Sequence, residues 1–259
     1  MARVAVRHRS SVVSDYFAEN SHILWTAIDS WRCTVLSKKT VGWRVAKMSS
    51  RFEWVVEGKS SGPNPAYDVD LWSDPRAAVV PTIGAIVPHW YLIVPRRRAP
   101  CIRALSRGER IQTLELAREV ADRFSGEQRC AAFFEHGAAV ANSPVGCGTD
   151  QAHLHAALLD FDLMGRVLSE SPEFSWLPAK TDDPWADIPK GADYYLLLSG
   201  ARVLWAEAPR QLSQFFRRHI ASGAGLSNQW DYRKWPHPAN SRRAGALLGP
   251  SSPGQEQRG

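Results

Sequence analysis

The 259 residues predict an α+β domain with a mainly antiparallel sheet and flanking helices. Three observations carry that prediction. Short β-branched and apolar runs recur from residue 77 onward, first AAVVPTIGAIV and WYLIVP and later CAAFFEHG and QAHLHAALL. One long helical stripe, 106–126, stands among these runs, and a second helical segment, PRQLSQFFRRHIAS, follows them. Between the two lies DYYLLLSGARVLWAEA, which reads as a hairpin turning at Ser199-Gly200.

Taken in order, residues 1–20 are basic, are expected to be a flexible N-terminus, and lack the apolar stretch and small-residue cleavage site of a secretory signal. Residues 21–69 form an N-terminal extension that could pack on the main domain. Its apolar and aromatic segments, HILWTAI and RFEWVVE, could pair as strands before the turn-rich KSSGPNPAYD breaks the pattern. The main domain is expected over 70–240. Its first strands, 77–87 and 90–95, are parted by Pro88-His89. In the helix that follows, Ser106 and Glu109 have capping-box spacing, and Ile111, Leu114, Ala117, Ala121 and Phe124 form one stripe with Gly126 as a stop. The strand CAAFFEHG (130–137) leads through AAVANSPVGCGTD into QAHLHAALL, also read as a strand. The closing helix has Pro209 at its entry and Gly223 beyond its end. Residues 241–259, rich in Gly, Pro, Ser and charge, are expected to be a disordered tail.

Composition narrows the function classes. No apolar run approaches the ~18 residues of a membrane span, and a cytoplasmic location is expected. Cys33, Cys101, Cys130 and Cys147 form no C-x-x-C pair, which argues against a disulfide framework and a zinc knuckle. The net charge of +6 suits an anionic partner, but the basic residues are scattered apart from Arg96-Arg97-Arg98. A phosphate-bearing small molecule fits that charge; a nucleic acid partner is not expected, and a homodimer is left open.

The chemistry points to residues 148–160, GTDQAHLHAALLD. On a strand, Gln151, His153 and His155 share one face, and Ala152, Leu154 and Ala156 share the other. Alternate side chains then stand roughly 7 Å apart, so one phosphoryl group can touch both imidazoles. A neutral imidazole is a competent nucleophile near neutral pH, and its neighbour can donate to a non-bridging oxygen or a leaving group. The preceding loop, with Gly148 and Thr149, could present backbone N–H groups to phosphate. The same spacing also suits ordinary polar residues on a solvated sheet, or two ligands of a metal completed by a Cys or a carboxylate.

These motifs resemble the histidine-triad superfamily of nucleotide hydrolases and transferases, whose signature alternates three histidines with apolar residues. Here the stretch is Gln151-Ala152-His153-Leu154-His155-Ala156-Ala157. IGAIVPHWYLIVPRRRAP (83–100) looks like that family's strand–turn–strand, and FFEHG (133–137) with GCGTD (146–150) looks like a bacterial branch of it. SQFFRRHIASGAG and WDYRKWPHP (230–238) resemble the branch's C-terminal segment, so the likeness spans roughly 70–240. It implies a histidine-triad-like fold and cleavage at the α-phosphorus of a nucleoside 5′-phosphate derivative. His153 would be the nucleophile, forming a phosphohistidine intermediate, and His155 the phosphate contact. No cofactor is required, although a divalent cation could accompany a polyphosphate substrate. Gln151 replaces the first histidine; its backbone carbonyl would still orient the nucleophile, while the missing imidazole could weaken or redirect activity. That departure, with Arg98 in place of a usual histidine, leaves open a nucleotide-binding protein that has lost catalysis. Asn142 lies near where the family places a phosphate-contacting Asn, and Arg96 and Arg97 stand where it has basic residues after the second strand. Gln214 and Arg217, one turn apart on the closing helix, could face the site. Glu135 and His136 could border it, and Trp230 reads as a packing residue.

Overall fold

The computed structural model describes residues 51–248, apart from residues 73, 125–128, 142, 144, 146–148 and 209–211. The expectations for residues 1–50 and 249–259, for Gly126 as a helix stop and for Pro209 as a helix entry lie outside the described residues.

Among the described residues, seven strands form one sheet: β1 (Ala77–Pro81), β2 (Trp90–Pro95), β3 (Cys130–Gly137), β4 (Leu154–Leu159), β5 (Leu177–Pro178), β6 (Tyr194–Ser199) and β7 (Arg202–Glu207). Their order is β1-β2-β4-β3-β6-β7-β5, and every pairing is antiparallel. Five α-helices accompany it among the described residues: α1 (Glu53–Val56), α2 (Arg107–Asp122), α3 (Leu163–Glu170), α4 (Phe215–Gly223) and α5 (Pro238–Leu248). The α+β expectation therefore holds. No helix among the described residues is long and apolar enough to cross a membrane.

The central strands bury both faces, which explains why WYLIVP is a continuous apolar run rather than an alternating one and why LHAALL departs from one only at His155. On one face Tyr91, Ile93, Phe133, Leu154, Ala156 and Leu196 pack against Leu114, Ala117 and Ala121 of α2 and Ala244 and Leu248 of α5. On the other, Ala132, Phe134, Ala157, Tyr195 and Leu197 pack under Met164 and Val167 of α3 and Phe216 and Ile220 of α4. Phe52, Trp54 and Val55, around α1, cover Ala78, Val80, Leu92 and Val94.

Local signals hold where they are strongest. Ser106 Oγ accepts from the Glu109 N–H, and Glu109 Oε2 accepts in return from the Ser106 N–H at 2.8 Å, so the capping box is complete. Four expectations change. RFEWVVE is not a strand but turns into α1, where Trp54 and Val55 are buried against Ala78, Val80, Leu92 and Val94 of β1 and β2. The run 77–87 pairs only as far as Pro81, because Gly84 lies at φ +66° and the chain turns there. Ser199 pairs with Arg202, which moves the hairpin turn one residue on, to Gly200-Ala201. The tail expected to be disordered from 241 instead continues as α5 to Leu248, burying Ser241, Ala244 and Leu248. Tyr91 Oη donates to the Ala244 carbonyl at 3.2 Å and Ser241 Oγ to the Thr82 carbonyl at 2.7 Å, tying that helix to the sheet.

Candidate functional site

QAHLHAALL is a strand only from Leu154, so His153 sits just ahead of β4 and His155 within it. Both imidazoles face a cleft on the α3–α4 face, between the Arg51-Phe52 segment and the start of α4. The cavity volume there is about 80 Å³, smaller than the ~300–1,000 Å³ usual for a small-molecule site. Its basic side carries Arg217 and Arg51, the latter ion-paired with Asp68 at 2.9 Å, with Thr82, Thr149 and Gln214. Its apolar side is Phe52, Ile83, Leu92 and the ring of Tyr232. None of these described lining residues is a carboxylate.

His153 is 7% exposed, and its Nδ1 lies 2.9 Å from the backbone carbonyl of Gln151. A carbonyl only accepts, so Nδ1 carries the proton and Nε2 keeps a bare lone pair. Burial pushes the His153 pKa down, against the lift from that carbonyl, and the Arg51 cation lowers it further. His155 is pressed between rings. Phe134 stacks on it at 4.6 Å and 7°, and the Trp90 indole N–H lies 3.1 Å from its Nδ1. Burial holds His155 well below the ordinary imidazole value, with His153, His136 and Arg217 adding to the effect. The two imidazoles stand 5.0 Å apart between ring centroids.

A third imidazole joins them from the neighbouring strand. His136, on β3, meets the His155 ring edge-on at 5.9 Å, and its Nε2 accepts from the Phe216 N–H at 3.4 Å. Burial first, then His153 and Arg217, takes its pKa down to about 3. The motif FFEHG thus divides by strand alternation. Phe134 and His136 serve the site face, while Glu135 points into the opposite core. There Glu135 accepts from the Ile102 N–H, Trp185 Nε1 and Tyr194 Oη at 2.6–2.7 Å, and burial raises its pKa. Gly137 leaves room for the Tyr194 ring, since a Cβ there would lie 2.0 Å from it.

Arg217 and Gln214 both reach the cleft. The Arg217 guanidinium sits 4.6 Å over Trp90, donates from Nε to the Trp230 carbonyl at 3.2 Å, and donates from Nη2 to the Gly84 carbonyl. Gly84 is required twice: by its positive φ, and because a Cβ would lie 2.6 Å from Tyr232 and 2.7 Å from Arg217 Nη2. Gln214 caps α4 in the left-handed region at φ 59°. Its amide donates to Asp231 and accepts from the Tyr232 N–H, both at 3.2 Å, so it seats the Tyr232 segment against the cleft.

Three expected contributors are elsewhere. The Gln151 side chain does not share the histidine face; its amide donates to the carbonyls of Pro95 and Arg97 at 3.0 and 2.8 Å. Only its backbone carbonyl serves the site. Arg96 pairs with Asp70 at 2.8 Å and donates to the Asp74 carbonyl, and Arg97 pairs with Glu109 at 2.8 Å. The chain turns after β2, so both guanidinium groups are taken by acids away from the cleft; Arg98 likewise meets Glu53. Thr149 lines the cleft, whereas Asn142 and Gly148 lie outside the described residues. Trp230 packs with the α4 core and carries the Arg218 guanidinium 3.6 Å over its ring. Among the described residues, no group of three His, Cys, Asp or Glu side chains is gathered as a metal-ligand set.

Sequence reasoning missed Arg51, Phe52, Thr82, Tyr232 and the Trp90 contact. Arg51 and Phe52 lie about a hundred positions before the histidines and carry no motif. Tyr232 stands inside WDYRKWPHP, and the strings of Arg and aromatic residues there were its only signal. No protein-family model matches this chain, and no curated protein matches its sequence.

Proposed function

We propose that the protein is a histidine-triad-like nucleotide phosphohydrolase or nucleotidyltransferase, acting at the α-phosphorus of a nucleoside 5′-phosphate derivative. One observation carries the reading: the Gln151 carbonyl 2.9 Å from His153 Nδ1, which leaves Nε2 bare toward a cleft walled by two arginines. Burial keeps that imidazole neutral and therefore nucleophilic at neutral pH. The absence of a carboxylate from the described lining favours a phosphoryl group there, and the half-buried Tyr232 offers a ring for a base.

In the first step the His153 Nε2 lone pair forms a bond to phosphorus, and the bond from phosphorus to the leaving group breaks with its electron pair. The leaving group departs as an anion or takes a proton from solvent. In the second step water, or the oxyanion of a second substrate, attacks phosphorus; the N–P bond breaks and the pair returns to Nε2. When water attacks, its proton is released to solvent. Arg217 and the Thr82 hydroxyl would balance the charge on the non-bridging oxygens, helped by the part of the Arg51 guanidinium that Asp68, 2.9 Å from its Nε, leaves open.

Trapping with a nucleotide derivative radiolabelled at the α-phosphate tests this. The wild type should hold label after rapid acid-free denaturation, and His153→Ala should hold none and lose turnover by on the order of 10³-fold or more. Equal labelling of the two proteins would sink the nucleophile assignment. Nucleotide affinity with turnover no better than that of His153→Ala would instead indicate a binding protein.

A further inference from the structure

Trp90 is fully buried on β2, and its indole N–H points at His155 Nδ1 at 3.1 Å. An indole nitrogen can only donate. His155 Nδ1 must therefore accept, and the ring proton of neutral His155 belongs on Nε2. We propose that Trp90 is a positioning residue that holds His155 in this tautomer, so the cleft presents a bare His153 Nε2 beside a proton-bearing His155 Nε2 in roles that do not exchange.

Three further observations support the assignment. His155 Nε2 is buried and has no hydrogen-bond partner among the described residues, although His155 lines the cleft. A buried donor left unmet costs ~1–3 kcal/mol, a cost that an acceptor on a bound ligand would remove. The Thr82 hydroxyl, another cleft-lining group, is unmet in the same way. Next, the ring cannot turn to exchange its nitrogens without losing the indole bond, and Phe134 stacked at 4.6 Å fixes its plane. Finally, Trp90 is itself held. Phe134 meets it edge-on at 5.8 Å, and the Arg217 guanidinium sits 4.6 Å over its ring.

The contrast with His153 gives the arrangement its meaning. One ring gives its Nδ1 proton to a carbonyl, and the other takes an indole proton at Nδ1. Their Nε2 atoms are therefore opposite in kind, one suited to attack and one to donating to a non-bridging oxygen while keeping its proton. Protonating His155 at Nδ1 would set N–H against N–H, so the ring also stays neutral as pH falls. The tautomer follows from geometry alone; its catalytic use rests on the phosphoryl-transfer reading.

Nitrogen-15 histidine labelling of the full chain tests the tautomer by two-bond proton–nitrogen correlation, with His155 assigned from the signal lost in His155→Gln. The wild type should carry the His155 proton on Nε2. Trp90→Phe should release the ring to a mixture or to the Nδ1–H form. Its kcat on adenosine 5′-phosphoramidate should fall about ten- to a hundredfold, with KM within about threefold. An Nδ1–H form in the wild type overturns the proposal, as does Trp90→Phe with the wild-type tautomer and kcat. Should Trp90→Phe fail to fold, the wild-type spectrum decides: Nε2–H supports and Nδ1–H overturns. Failure of the two readings is separable, because the spectrum reports tautomer without turnover and the radiolabel reports covalent chemistry without tautomer.

Discussion

Acid should unfold this protein through its buried imidazoles, and His136 sets the scale. The folded-state pKa of about 3 lies well below the ordinary imidazole value of 6.5. The unfolded chain therefore binds a proton that the folded one refuses. The stability from this group is fully present above pH ~6.5 and is lost progressively as pH falls from there toward ~3. Between about pH 7.5 and about pH 5.0 the linkage integral for one such histidine is ~2 kcal/mol. His153 and His155 are shifted in the same direction, so they add to the loss. Urea unfolding of the wild type and His136→Gln at both pH values measures the effect. The Gln amide oxygen can still accept from the Phe216 N–H, and the variant should lose about 2 kcal/mol less on acidification than the wild type. The same pH dependence in both proteins would refute the reasoning, because it would mean that His136 titrates alike folded and unfolded.

Two substitutions test the framework around the site. Gly137→Ala drives a Cβ to within 2.0 Å of the fully buried Tyr194 ring, whose hydroxyl is bonded to Glu135 at 2.6 Å. It should cost ~3 kcal/mol or more, a fall in Tm of roughly 6–12 °C by differential scanning calorimetry. Gln151→His abandons at least one of the two carbonyls that the amide now serves, at 3.0 and 2.8 Å. It should destabilise by ~1–3 kcal/mol without raising kcat on a nucleoside phosphoramidate, and a gain in kcat would mean that the new ring enters the cleft after all.

The sheet was legible because its central strands bury both faces, which turns WYLIVP and the YYLLL of β6 into unbroken apolar runs. The helix 107–122 was legible because its start is written locally in Ser106 and Glu109. RFEWVVE misled because the same aromatic residues that suit a strand also suit a lid on one, and only the tertiary contact with Leu92 and Val94 decides. Within the candidate site, spacing paired His153 with His155 but suited a solvated sheet face as well, and only the resemblance favoured a site. The place of Gln151 was not legible, since its alternation with His153 holds only on a strand that begins three residues later, at Leu154. Arg96 and Arg97 look like phosphate ligands in sequence, but Asp70 and Glu109, far from them in the chain, claim their charge. Arg217, by contrast, is buried at 3% exposure, which an amphipathic reading of α4 gives little reason to expect.

The wall supplied by Arg51 and Phe52 separates two boundaries that coincide in most small domains, that of the folding sheet and that of the chemistry. A chain begun at residue 70 would retain all seven strands and both histidines. It would nevertheless uncover Ala78, Val80, Leu92 and Val94 as an adhesive apolar strip on β1 and β2. His153 would at once exchange a dry, ring-lined neighbour for bulk water, because Phe52 stands 5.8 Å from its imidazole. Trimming to the minimal sheet would therefore change the reactivity of the nucleophile candidate without touching any residue of its motif.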